Sequence, residues 1–196
     1  MPVLETEVNC DRTTNSNSQF EKDDFSQIIF QLQDSYSINQ NNNLKSSVYY
    51  TLANGWWNFD FPNYLGLPST IEDISKNTLT SHLVGYFINT TRNWNNLSYT
   101  LGIHGNQYTN NFSESHAASG TIWHQNSKYK NEISTFMKLE GSSDDFLFFL
   151  DLQSRKSWFN YEGDLQFKEI RWSFINPKFG ISYKPSQATL IYSSIG

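Results

Sequence analysis

Apolar and polar residues alternate with a period of two along most of this chain. Between Ser26 and Ile38 the even positions carry Ile28, Phe30, Leu32, Asp34, Tyr36 and Ile38, and Gln27, Ile29, Gln31, Gln33, Ser35 and Ser37 stand between them. The alternation returns in Leu44, Val48, Tyr50 and Leu52, in Leu97, Tyr99, Leu101 and Ile103, in Ile133, Met137 and Leu139, and in Phe146, Phe148, Leu150 and Leu152. A repeat of two sends one set of side chains to each face of an extended strand. Eight strands are predicted, over 25–38, 44–54, 80–91, 96–108, 131–140, 145–158, 171–184 and 188–195. No stretch keeps a 3.6-residue repeat with caps, so helix is expected to be nearly absent.

The connections carry as much information as the strands. Short turns are predicted at Asn39–Asn43, Arg92–Asn95, Gly141–Asp144 and Pro185–Gln187, each with Asn, Gly-Ser-Ser-Asp or a strand-ending proline. Long polar connections are predicted at 55–79, 109–130 and 159–170. Strict alternation of short and long connections is the habit of an antiparallel transmembrane barrel, with short periplasmic turns and long extracellular loops. With that orientation both chain ends fall on the extracellular side. An excised interior segment is therefore expected, with Met1 as a gene-calling start and residues 1–24 as a flexible lead-in.

Composition sharpens the class. Aromatic residues make up 16% of the chain while all hydrophobic residues reach only 37%, a balance that suits strands and turns better than packed helices. The longest apolar run, Phe146–Leu150, is far below the ~20 residues of a membrane-spanning helix, which leaves a barrel untouched. A net charge of −5 with no basic patch gives nucleic acid nothing to bind. The single cysteine, Cys10, cannot form an intramolecular disulfide, and it is read as a chance thiol.

Several stretches, in order, resemble the barrel of TonB-dependent outer-membrane receptors. Phe174-Ile175-Asn176-Pro177-Lys178-Phe179-Gly180-Ile181-Ser182-Tyr183 resembles that family's FFNPKAGLxY strand, and Phe149-Leu150-Asp151-Leu152-Gln153-Ser154-Arg155 its FxDLQYR strand. Tyr50-Thr51 with Gly55-Trp56-Trp57 is similar to YTxGxGYY, and Thr100-Leu101-Gly102 with Asn106-Gln107-Tyr108 to TLGGGWNxY. The resemblance covers roughly residues 24–196. It implies a bacterial outer-membrane location and a parent protein that takes up a scarce ligand (iron chelate, vitamin or oligosaccharide) with energy from the TonB complex. Neither plug domain nor energy-coupling box is recognisable here. No cofactor is implied.

Candidate site residues follow from the predicted faces and loops. Tyr64, Tyr108, Trp123 and His124 fall in the predicted extracellular loops, as ligand-binding candidates or as ordinary loop residues. Trp56 and Trp57 sit where a strand leaves the membrane, as expected of interface aromatics. His104, Asp151, Gln153 and Arg155 alternate onto polar faces and are expected in the lumen, against water or a plug. His116 and His124 lack the convergent partners of a metal site. No nucleophile elbow, phosphate loop or carboxylate dyad is present, so no enzyme is expected. Two rival architectures remain: a secreted carbohydrate-binding β-sandwich, and a complete eight-stranded barrel.

Overall fold

The computed structural model describes residues 18–196, so Cys10 and the first part of the lead-in lie outside the described residues. Eight strands form one antiparallel sheet in chain order: β1 Asp23–Asn39, β2 Asn42–Asp60, β3 Ile74–Trp94, β4 Leu97–His116, β5 Ile122–Ser143, β6 Phe146–Gly163, β7 Ile170–Ser186 and β8 Thr189–Ile195. Among the described residues helix is confined to one turn, α1 Phe61–Tyr64, and a three-residue 3-10 turn, Ile71–Asp73. All strands belong to a single sheet, which removes the sandwich. β1 and β8 are its two edges and do not pair with each other, which removes the closed eight-stranded barrel.

At one end of the sheet the hairpins are tight. Trp94 pairs with Leu97 and Ser143 with Phe146, leaving two connecting residues in each case. The first of these, Asn95 and Asp144, sits at positive φ (50° and 48°). A primed hairpin turn needs that left-handed first residue, and Asn and Asp tolerate it best after glycine. At the other end the strands run further than the sequence pattern indicates. The connections shrink from 55–79, 109–130 and 159–170 to 61–73, 117–121 and 164–169. Alternation reports a difference between the two sides of a sheet. Where both sides of a sheet are wet, as expected beyond a membrane, the pattern fades while backbone pairing continues.

Register assigns every side chain to a face. The apolar face carries Ile28, Phe30 and Leu32 of β1 and Leu44, Val48, Tyr50 and Leu52 of β2. It continues through Val84, Tyr86 and Ile88, Leu101 and Ile103, Ile133 and Met137, Phe148 to Leu152, and Ile175 to Tyr183. These residues do not cover a protein core. Ile74 is the one buried hydrophobic residue among the described residues, whereas Ile28, Phe30, Leu32, Leu152 and Ile175 are all exposed. An apolar belt this continuous, on one face of a single sheet, matches the lipid-facing band of a barrel.

The belt also reveals strand tilt. Leu44, the innermost apolar residue of β2, is in register through Thr90, Leu101 and Met137 with Leu152, where the uninterrupted apolar run of β6 ends. The belt on β6 begins at Phe146 instead. A level belt therefore requires a slide of about six residues over four strand spacings, ~20 Å along against ~19 Å across. That corresponds to roughly 45°, the tilt of membrane strands.

Two substitutions on β6 separate the faces. Leu150→Arg is expected to destabilise the membrane-inserted chain by about 2–4 kcal/mol, and Gln153→Arg on the other face by no more than about 0.5 kcal/mol. Urea titration of the inserted protein measures both. Equal costs would remove the lipid-facing assignment.

Candidate functional site

Opposite the belt lies a mostly polar wall. His104, Gln153 and Arg155, read from the sequence as lumen-facing, line one hollow with Phe87, Ser134, Phe136 and Asn176. Register explains the meeting: Phe87 opposes His104, His104 opposes Ser134, and Ser134 opposes Arg155, while Phe136, Gln153 and Asn176 form the next row. The Tyr49 hydroxyl is 2.7 Å from His104 Nε2, and the Phe87 and Phe136 rings stack at 5.9 Å and 9°. Phe136 lies flat because Gly102 is beneath it; a Cβ there would overlap its ring. Glu132 holds two cations, Lys130 at 3.3 Å and Arg155 at 3.5 Å. Asp151 lies in register between Lys138 and Lys178 and accepts a hydrogen bond from Gln153 Nε2 at 3.3 Å.

Further toward the long-connection end, the same wall carries a diagonal ladder of rings. Phe25 stacks on Trp57 (6.0 Å, 23°), Trp57 meets Phe112 (6.0 Å, 40°), and Phe112 meets His124 (6.3 Å, 54°). Lys128 Nζ stands 5.6 Å from the Phe112 ring centre. Asn77, in register between Trp57 and Glu114, is only 8% exposed beneath these rings. His124 Nδ1 hydrogen-bonds the Asp164 carboxylate, and its Nε2 is 2.8 Å from the Asn126 amide. The ladder thus joins β1, β2, β4 and β5 and is tied to the 164–169 connection.

The structure moves several candidates. Tyr64 does lie in a connection, in α1 against Phe59, and is 73% exposed. Tyr108 belongs to β4, its hydroxyl 3.2 Å from Ser81 Oγ, and not to a loop. Trp123 and His124 belong to β5; Trp123 sits at a register shift and packs on His116 (5.6 Å). Trp56 and Trp57 point to opposite faces. Trp56 shares the belt's face with Lys76, whose Nζ is 4.4 Å from its ring, whereas Trp57 stands on the polar wall against Phe112. Phe25, Phe87, Phe136 and Glu132 were not singled out from the sequence, because each needs register to acquire its neighbours.

The outer rim is organised by Asp60, which is fully buried at the end of β2. Its carboxylate accepts from Ser18 Oγ (2.5 Å), Ser69 Oγ (2.7 Å) and the Asn63 N–H (3.0 Å), fastening the lead-in and the 61–73 connection to the strand. Nearby, Ser119 N–H donates to His116 Nδ1 at 3.1 Å, so the imidazole proton sits on Nε2 and points to the Glu72 carbonyl at 2.7 Å. Among the described residues no cluster of three or more His, Cys, Asp or Glu side chains could hold a metal ion.

No protein-family model matches this sequence, and no curated protein matches it. Solved structures do. The copper transporter OprC superposes with a TM-score of 0.70 at 10% identity, over 87% of this chain and 30% of its own. The ferric-catecholate import receptor Fiu from E. coli K12 (closed form) gives 0.68 at 8% identity, over 91% and 33%. The ferric yersiniabactin uptake receptor FyuA from Yersinia pestis gives 0.67 at 10%, over 91% and 29%. The chain has the fold of a TonB-dependent receptor's barrel wall. It spans about a third of the length of those receptors. In a TonB-dependent receptor barrel, a fold of the Gram-negative outer membrane, the polar wall lines the interior and the apolar belt meets lipid. His104, Asp151, Gln153, Arg155 and the ring ladder all stand on this chain's polar wall.

Two measurements probe this wall. Gly102→Ala is expected to destabilise the sheet by about 1–3 kcal/mol through overpacking, with most of that increment lost in a Phe136→Ala background. At the rim, burial is the largest influence on Asp60 and pushes its pKa up, but the hydrogen bonds from Ser18, Ser69 and Asn63 together outweigh it and hold it below 3.8. A lowered folded-state pKa gives stability that is present above 3.8 and lost as pH falls through the folded value. Hydrogen exchange of the Asn63 amide, corrected for intrinsic rate, should stay protected at neutral pH and lose protection below 3.8. Asp60→Asn should flatten that dependence.

Proposed function

We propose that this chain is a run of barrel strands from an outer-membrane TonB-dependent receptor, whose parent takes up a scarce ligand using energy delivered through TonB. The observation that carries the reading is the combination of a lipid-facing belt with two unpaired sheet edges. In hydrocarbon each unpaired backbone group costs several kcal/mol, so β1 and β8 need further strands beside them. Likeness to receptors about three times as long supports the same conclusion.

Ligand capture is assigned to the outer half of the wall and the rim. Phe25, Trp57, Phe112 and His124 offer stacked faces, and Lys128 adds a cation beside them. Such a surface suits an iron chelate, vitamin or oligosaccharide with a flat or ring-shaped part. Tyr64 and Trp123 extend it at the rim. The chemistry is binding followed by passage, with nothing done covalently to the ligand. A plug from the parent would meet the Asp151, Gln153 and Arg155 wall, and TonB would act through that plug.

The deciding experiment is to sequence the genomic DNA on both sides of this reading frame. An upstream plug region and downstream strands ending in an aromatic residue are expected. Stop codons bounding the frame on both sides would overturn the receptor reading.

A further inference from the structure

On the polar wall, β4 carries a second pattern that runs along the strand where the ring ladder runs across it. From Phe112 inward its wall-facing residues are Phe112, Asn110, Tyr108, Asn106 and His104, a ring and a carboxamide in turn. All five are half-buried. Neighbours on β2 and β3 brace them. The Tyr108 hydroxyl stands 3.2 Å from Ser81 Oγ, which also accepts from Asn110 Nδ2 at 2.6 Å. The His104 ring stacks on Tyr49 (6.1 Å, 14°). Phe112 meets Trp57 and His124 in the ladder, so the two patterns cross at its ring.

Length and charge restrict what can lie along this run. Eight positions separate Phe112 from His104, ~26 Å at ~3.3 Å per residue, so the run is long and one strand wide. Between Leu97 and Phe112 of β4, and between Asn77 and Asn89 of β3, there is no Lys, Arg, Asp or Glu. On the other side, Lys130 and Arg155 are both held by Glu132 (3.3 and 3.5 Å), and Lys128 lies over the Phe112 ring at 5.6 Å. A multiply charged anion needs converging cations that are free to meet it. This run offers ring faces and amides instead.

We propose that the β4 run is a track for a neutral oligosaccharide bound lengthwise, with sugars over the rings and their hydroxyls on the amides between. The inference rests on the receptor reading above and narrows its ligand to one class. The C–H face of a pyranose packs on an aromatic ring, and a carboxamide donates and accepts at once, as an edge covered with hydroxyls requires. Repetition of the ring–amide pair suits a polymer of like units. A compact iron chelate would occupy one part of the run and leave the rest unused. Side chains held by strand register and by Ser81 and Tyr49 lose little freedom on binding.

The test uses the complete receptor encoded by this frame with its flanking DNA, purified in detergent, and isothermal calorimetry. The probes are neutral hexasaccharides cut from cellulose, xylan and mannan, their disaccharides, ferric citrate and cyanocobalamin. Saturable binding of a hexasaccharide is expected, with its disaccharide about tenfold weaker because it spans only part of the run. Tyr108→Leu and Phe112→Leu should each weaken the hexasaccharide about threefold to tenfold, the size of a lost aromatic contact. Tyr108→Phe should retain most of the affinity, and Tyr50→Leu on the apolar face should leave it unchanged. Heat-modifiable gel mobility selects the variants that are folded. Binding of ferric citrate or cyanocobalamin alone, no binding of any hexasaccharide, or hexasaccharide binding untouched by both leucine variants would overturn the track and leave the receptor reading standing. Stop codons on both sides of the frame would remove the two together.

Discussion

Within hydrocarbon no water is present to satisfy a free N–H or C=O, and most of this architecture follows from that constraint. Each strand must pair with its neighbour throughout the membrane, and here β2 to β6 are paired on both sides along nearly their whole length. Pairing supplies the cohesion that a soluble domain obtains from a buried core. With Ile74 as the one buried hydrophobic residue among the described residues, the sheet has no such core. Its apolar side chains, Phe30 and Ile175 among them, are instead exposed on one face, as in the lipid-facing band of a membrane barrel.

The same constraint shapes finer packing. Tilted strands bring each residue beside diagonal as well as direct neighbours, so rings can lie across adjacent strands. Phe25 over Gly55 and Phe136 over Gly102 use glycine as the floor on which a ring rests. The floor makes flat stacking possible, as with Phe87 on Phe136, and it couples strands that do not touch through their backbones. The polar wall is therefore organised by rings and by a Lys130–Glu132–Arg155 charge row, both of which cross strand boundaries.

Beyond the membrane the requirement relaxes, yet the ladders persist to Asp60, His116 and Gly163. There the sheet becomes a two-sided scaffold of paired strands, with the 61–73, 117–121 and 164–169 connections at its tip. Asp60, His116 and His124 each fasten a connection to a strand end through hydrogen bonds. A surface held in this way loses less entropy on binding than a surface made of mobile loops.

The sequence by itself determined the existence, order and antiparallel hairpin sense of the eight strands, their inner ends, and which side of β1, β2, β4, β5 and β6 is apolar. Alternation and turn chemistry are local, and they are written wherever lipid and water lie on opposite sides of a sheet. Four family-like stretches also pointed to the receptor barrel. Only the tertiary structure decided where the strands end at the long-connection side, because pairing there leaves no hydrophobic trace; Trp123 and His124 consequently moved from a loop to a strand. It also decided that Trp56 and Trp57 serve opposite faces. Phe25, Trp57, Phe112 and His124 became one ladder through register alone, since residues nearly a hundred positions apart meet only when five strands are aligned.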